Sequence, residues 1–372
     1  MDELARLTSE LVAIDSVNPS LVAGGAGEAE IARFVAAWLG AAGLDVDVLE
    51  PAPGRPSVVG IARGSGGGRS LLLNAHLDTV GTAGMEAPFS PRVDGGRLYG
   101  RGALDMKGSL ASVMLAGRAA ARLDLRGDVV VAAVSDEEAG SIGTEAVLAR
   151  HRTDAAIVAE PTWLELAIAH RGFAGFEVVV AGRAAHGSRP DRGIDAIVRM
   201  GRVLVRLEEL GARLQAGTSH PLLGTGSAHA SVIEGGQELS SYPERCVLLA
   251  ERRTLPGETV EDVERELAEI LDQAGRDDPD FGAAVDVAFA RDAYELSPDD
   301  PLVELVGRHA GGPPVVGLPF WADSGLIAAA GIPTVLFGPG GEGLHEAEEW
   351  VEVADLERCL SVYLAVAREL CA

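Results

Sequence analysis

The chain predicts an α/β protein: a layered domain with a mostly parallel sheet, interrupted by a smaller inserted βαββαβ (ferredoxin-like) unit. Three observations carry that expectation. The continuous apolar runs "SLLLNAH", "DVVVAAV" and "DAAIVAE" have strand length and read as strands covered on both faces. Segments of helical period alternate with them, as in layered α/β folds. Near His170 the pattern changes, and after about Ala290 it returns to the earlier one.

In chain order, Leu4, Leu7, Leu11 and Ile14 recur at helical spacing and stop before Asn18-Pro19. Ile31, Phe34, Val35, Trp38 and Leu39 repeat the pattern before Gly43. The stretch "LDVDVLE" alternates with period two, as a half-covered strand does. The run "GSGGGRS" precedes a strand instead of joining a strand to a helix, so it is a poor phosphate cradle and reads as a hairpin turn. A helix is expected from about Met106 to Leu123. Beyond His170 follow "GFEVVVAG", "IDAIVRMGRVLVRLEEL", "AHASVIEG", "RCVLLAE", "TVEDVERELAEILDQA" and "AAVDVAF", which is the split βαβ order and can bury its own core. The runs "PLVELVGRHA" and "IPTVLFG" and the closing helix "VADLERCLSVYLAVAREL" then resume the first domain. The expected division is 1–169 with 291–372 for the discontinuous larger domain, and 170–290 for the insertion.

Composition narrows the function. Acidic residues outnumber basic ones, 56 to 31, and the formal charge of -25 repels nucleic acid and anionic membranes. No apolar run reaches membrane-spanning length, and the acidic, amphipathic start lacks the basic and apolar regions of a signal or transit peptide, so a cytoplasmic location is expected. Cys246, Cys359 and Cys371 form no CxxC pair, and an odd count argues against a disulfide framework. Neither GxSxG nor HExxH occurs, which leaves a nucleophile elbow and a zincin helix unsupported.

Chemistry concentrates at strand ends, where open α/β sheets present ligands. There lie His76 and Asp78 in "NAHLDTVG", Asp105 in "GRGALDMKG", Glu137 and Glu138 in "SDEEAG", Glu160 in "IVAEPT", and His345 in "GPGGEGLHEAEEW". Taken singly, His76 reads as a structural histidine, Asp105 as a turn residue and Glu160 as a strand-end charge. The cluster at Asp136 reads as a solvated loop with N-capping carboxylates for a helix beginning near Thr144, where Gly140 and Gly143 allow a tight turn. Jointly, so many carboxylates at one end of a sheet repel strongly unless cations neutralise them, and imidazole with carboxylate suits Zn²⁺ or Co²⁺.

In "HLDTV", "GRGALDMKG", "DEEAG", "AEPT", "AHGSRP" and the glycine-proline-glycine, histidine and glutamate of the C-terminal loop, the sequence resembles the dinuclear zinc amidohydrolases and exopeptidases, the M20-type metallopeptidases. That family includes acetylornithine deacetylase, succinyl-diaminopimelate desuccinylase, aminoacylase-1 and the carboxypeptidase G type, and the likeness spans nearly the whole chain. The resemblance implies two Zn²⁺ per subunit, with Co²⁺ possible: His76 and Glu160 on one, Glu138 and His345 on the other, and Asp105 bridging. Two cations about 3.5–4 Å apart need one planar group with two oxygens between them. Asp78 is then expected to orient the His76 imidazole. Glu137 is expected to be the general base toward a metal-bound water that serves as the nucleophile. In the inserted domain the resemblance implies that His186 stabilises the oxyanion across a homodimer interface, where the competing reading is a cap on the helix near Gly193. It also implies that Arg253 pairs with a substrate carboxylate.

One position departs from the family: Ser240 stands where asparagine is usual, and its hydroxyl offers no amide donor-acceptor pair. Asp323 in "WADSG" reads as a helix N-cap or a group near the site. Glu349 reads as support for His345 or a local cap. The implied activity is metal-dependent hydrolysis of the amide of a small N-acyl amino acid, of the acetylornithine deacetylase or succinyl-diaminopimelate desuccinylase type. A carboxypeptidase or dipeptidase acting on short peptides is the runner-up, and a catalytically silent metal-binding homologue a remote third.

Overall fold

The structure, a computed structural model, describes residues 2–82 and 84–372. It divides into two compact units: one runs through Ile168 and adds Leu296–Val316 and Ala322–Ala372, and the other comprises Ala169–Glu295 with Gly317–Trp321.

The first unit is built on a mixed sheet whose strands lie in the order Asp45–Leu49, Ser57–Ala62, Val129–Val134, Leu71–His76, Ala155–Val158, Thr334–Leu336 and Leu166–His170. The middle of this sheet is parallel: Leu71–His76 pairs in parallel with both Val129–Val134 and Ala155–Val158, which in turn pairs in parallel with Thr334–Leu336. Every residue of those four strands is buried, which is why their sequences are unbroken apolar runs. Helix Gly108–Ala120 and the closing helix Val353–Leu370 pack together on this core. Gly108–Ala120 is shorter than the sequence suggests because Asp105 and Met106 leave helical geometry in the wide turn Ala103–Lys107.

The run "GSGGGRS" is not the hairpin turn its composition suggests. The strands it joins, Ser57–Ala62 and Leu71–His76, each pair with Val129–Val134, which lies between them. The glycines instead let the chain lie against Leu125–Gly127, where Ser65 N donates to Leu125 O at 2.8 Å and Gly66 N to Arg126 O at 2.8 Å. A later strand took the place that a hairpin partner would have had.

A small antiparallel sheet, Gly341–Glu342, Trp350–Glu352, Arg97–Tyr99 and Arg92–Asp94, holds the loop that carries His345. The same sheet leads from Tyr99 directly into the loop carrying Asp105.

The second unit has strands Gly172–Ala181, Ser227–Gly235, Arg245–Thr254 and Gly282–Arg291, with helices Ala196–Ala216 and Val260–Gly275, in the βαββαβ order. The sheet is antiparallel, in the order Ser227–Gly235, Arg245–Thr254, Gly172–Ala181, Gly282–Arg291. Phe176, Val178, Val180 and Leu248 face the helices and form one core with Met200, Val203, Leu207, Val263 and Leu267. The alternation buried, exposed along Gly172–Ala181 follows from that single covered face. Trp321 belongs here because its ring meets those of His170 at 6.0 Å and Phe173 at 6.4 Å. Among the described residues no helix is long and apolar enough to cross a membrane, and all three cysteines are buried and free.

Candidate metal centre

The four parallel strands end at one edge, and their ends carry the site. His76 closes its strand, Asp136–Glu138 follow Val134, Glu160 follows Val158 by two residues, and the loop after Leu336 leads to His345.

His76 is fixed first. Its Nδ1 lies 2.9 Å from the Asp78 carbonyl oxygen, which only accepts, so Nδ1 carries the proton and Nε2 presents a lone pair. The Asp78 carboxylate is 3.7 Å from Nδ1, so the backbone oxygen, not the side chain expected from the sequence, makes the close contact. The carboxylate instead accepts from the amides of Glu137, at 3.1 Å, and Glu138, at 3.2 Å.

Asp105 stands between the two histidines. Its Oδ1 is 2.9 Å from His76 Nε2, and its Oδ2 is 3.4 Å from His345 Nε2. His345 Nε2 is also 3.3 Å from Glu138 Oε2, and His76 Nε2 is 3.9 Å from Glu160 Oε1. Two donors at about 2.0–2.2 Å from one cation stand roughly 3.2–3.5 Å apart, so these separations are of ligand-to-ligand size. Two groups of three converge on His76: His76 with Glu137 and Glu160, and His76 with Asp105 and Glu138, each with its ligand atoms within 4.8 Å of one another.

The electrostatics show how strongly the clustered carboxyls resist ionisation together. Burial, reinforced by the neighbouring Glu160, pushes the Glu137 carboxyl well above the usual range. Burial also raises Glu160, with Asp105 and Glu138 adding to the effect against the pull of His76. Glu138 rises through burial and the charge of Asp105. The contacts with Asp105 and Glu138 raise His345 to about 10. Glu138 Oε1 is buried without a hydrogen-bond partner among the described residues. A carboxylate oxygen without a hydrogen-bond partner in a buried acidic cluster is suited to a cation, and a donor set of imidazoles and carboxylates fits borderline divalent ions.

The reading of "SDEEAG" as a solvated loop with capping carboxylates does not hold. Asp136 is buried, Ser141 rather than a carboxylate precedes helix Ile142–Arg150, and that cap makes no side-chain bond. Left-handed backbone falls on Asp136 (φ 67) and Ser141 (φ 57), not on the glycines. Gly143 is needed for close approach, because a Cβ there would collide with the Ser135 backbone.

Four supporting residues were only partly legible. Glu349 contacts neither histidine ring; it accepts from Arg101 at 2.7 Å and from the amides of Gly102, Leu104 and Asp105 at 2.8–3.0 Å, and so shapes the Asp105 loop. Asp323 makes no cap bond; it accepts from Thr144 Oγ1 at 2.5 Å, and burial raises its carboxyl to about 6. Asn18 and Arg55, described below, gave no signal beyond a helix stop and a lone basic residue.

His186 and Arg253 lie in the second unit. His186 is exposed on the short strand Ala185–His186, and its Nδ1 accepts from the Ser188 amide at 3.2 Å. It caps no helix, since Asp195 caps Ala196–Ala216 through Val198 N. Arg253 donates to Glu251 at 2.6 Å and lies 5.4 Å from the Phe173 ring centroid.

Comparison with known proteins places this arrangement. An acetylornithine deacetylase from Myxococcus xanthus is 34% identical over 328 residues, covering 85% of this chain and 84% of the relative. Among solved structures, aminopeptidase PepT from Bacillus cereus superposes with a TM-score of 0.82 at 21% identity, covering 99% of this chain and 98% of its own. The YXEP protein of Bacillus subtilis, described as a dinuclear metal binding peptidase, superposes with a TM-score of 0.72 at 16% identity, covering 99% and 97%. The profile of peptidase family M20/M25/M40 matches residues 72–369, which span every ligand candidate from His76 to His345, and the chain therefore belongs to that family of hydrolases.

Proposed function

We propose that the protein hydrolyses the amide bond of a small N-acyl amino acid, in the manner of an acetylornithine deacetylase or succinyl-diaminopimelate desuccinylase. The observation that carries this reading is the Asp105 carboxylate, whose two oxygens face two different imidazoles, with the Glu137 carboxylate beside the first. The relative at 34% identity, an acetylornithine deacetylase, supports the acyl amino acid as substrate.

In this reading His76 and Glu160 hold one zinc, Glu138 and His345 the other, and Asp105 both. When bound, the ions polarise the acyl carbonyl and make water acidic enough to attack near neutral pH. Glu137, close to His76 and Glu160 but absent from the proposed ligand set, takes the proton of the attacking water and returns it to the departing amine nitrogen. Because Ser188 N donates to His186 Nδ1, a neutral His186 ring carries its proton on Nε2 and has a donor to offer the developing oxyanion. Arg253, which Phe173 flanks on the neighbouring strand, offers its guanidinium to a substrate carboxylate. His186 acts in a homodimer. Supporting that assembly, Ser227–Gly235 is an edge strand with Val232 and Ile233 half exposed, and Val198 and Val205 of helix Ala196–Ala216 are exposed as well.

The test uses full-length protein stripped with a chelator and reloaded with zinc or cobalt, assayed on N-acetyl and N-succinyl amino acids and on dipeptides. Turnover of an acyl amino acid is expected, abolished by chelator. Glu137→Gln is expected to retain two cations per subunit and lose about 10²-fold or more in kcat. Faster turnover of dipeptides transfers the protein to the peptidases, and an unimpaired Glu137→Gln removes the base assignment.

A further inference from the structure

We propose that Asn18, held by Arg55, is a positioning residue that aims the Glu137–Glu138 turn through Asp78; the proposal rests on the reading of Glu137 as base. Arg55 is buried and forks onto Glu28, with Nε at 2.6 Å from Oε2 and Nη2 at 2.7 Å from Oε1. The same Nη2 reaches Asp136 Oδ1 at 2.6 Å and Asn18 Oδ1 at 3.1 Å. The Asn18 amide, its oxygen thus occupied, turns its Nδ2 toward two carboxylates, Asp78 Oδ2 at 2.7 Å and Asp136 Oδ1 at 3.0 Å. Asp78 in turn receives the amides of Glu137 and Glu138. An unbroken chain of hydrogen bonds therefore runs from one guanidinium to the backbone beneath both acidic side chains.

The geometry gives Asn18 a choice to enforce. Besides Asn18, the wholly buried Asp78 carboxylate has two neighbours to choose between: the turn, which it bonds, and Nδ1 of His76, 3.7 Å away. The Asn18 donor holds one Asp78 oxygen on the turn side. Asp136, meanwhile, sits at a left-handed φ of 67, a conformation unfavourable for a non-glycine residue and held here by surrounding contacts. Arg55, Asn18 and the bond from Asp136 N to Glu28 Oε1 at 3.1 Å supply those contacts. Three like charges in a row can then diverge, Asp136 inward to Arg55 and the next two toward the reaction.

Arg55 variants strand two or more buried carboxylates and risk unfolding, so the test is made at Asn18 in the full-length, cation-loaded protein. Asn18→Asp keeps the size and the oxygen facing Arg55 but deletes the donations to Asp78 and Asp136; Asn18→Leu deletes all side-chain bonds. Both are expected to raise hydrogen exchange at the Glu137 and Glu138 amides and to lower kcat about 10- to 100-fold, the range for residues that orient a metal site from behind. KM and the number of bound cations are expected to stay within about twofold, which a loss through general misfolding would not allow. Unchanged exchange at both amides, or faster exchange with unchanged kcat, overturns the proposal and leaves the Glu137→Gln result standing. A wild-type protein unaffected by Glu137→Gln instead removes the base reading, while the exchange data still decide whether Asn18 holds the turn.

Discussion

At the scale of single residues, one buried ion pair shows what a charge inside the fold depends on. Arg101 and Glu349 are both almost fully buried and meet at 2.7 Å, and Glu349 has three backbone amides besides. Removing one member of such a pair leaves the other charge buried alone, at a cost of about 3–5 kcal/mol. Glu349→Ala is therefore expected to lower the thermal midpoint by roughly 5 °C, and a calorimetric shift below about 2 °C would refute the account. His76, Glu138 and Glu160 stood out because each lies at or shortly past the end of an apolar run, whereas Asp105 and His345 sit farther along their loops and were picked out by the motifs that carry the family resemblance. Their supports were not legible. Asn18 lies 60 residues from Asp78 and Glu349 lies 244 from Asp105, and hydrogen bonds across such distances leave no local pattern to read.

At the scale of elements, periodicity was a good guide wherever one face or both faces are covered. In the second unit Gly172–Ala181 and Arg245–Thr254 follow their sequence pattern because a single helix-covered face imposes the alternation, while the edge strand Ser227–Gly235 is exposed along most of its length. The glycine run failed as a hairpin signal because strand pairing depends on which later segment occupies the neighbouring slot, here Val129–Val134. The exposed edge of the second unit is the element whose purpose can be measured. For the homodimer proposed above, Val232→Asp with Ile233→Lys is expected to give a monomer in equilibrium sedimentation that keeps its circular dichroism, because both side chains are half exposed and outside the core. A wild-type protein that sediments as a monomer, or a double variant that remains dimeric, would place the interface elsewhere or remove it.

At the scale of the whole molecule, the acidic centre links stability to pH and to cations. Glu137, Glu138, Glu160, His76 and His345 all have raised proton affinities, and Asp323 joins them at about 6. For these groups the folded chain holds more protons than the unfolded one between their ordinary values of 3.8 to 6.5 and their raised folded ones, so their stabilisation is complete below the ordinary values and is lost as pH climbs from there toward the folded ones. Asp105 is shifted downward despite its burial, so its contribution is present above the ordinary carboxylate range and is lost only in stronger acid. Lys107, which burial lowers to about 7, favours stability as pH climbs beyond that point, so pH 5 and pH 7 are the useful comparison. The site's own contribution in chelator-treated protein is expected to fall from pH 5 to pH 7. Zinc or cobalt reverses that trend, because it binds deprotonated ligands and expels their protons. Melting curves with and without chelator, and calorimetry in buffers of different ionisation heat, read both effects; cation uptake that releases no protons would contradict them. Thr334–Leu336 lies inside the sheet, between Ala155–Val158 and Leu166–His170, although it is made long after both. A ribosome adding roughly 5–20 residues per second leaves that gap open for on the order of ten seconds or more, so the nascent sheet waits, divided, until its missing interior strand emerges.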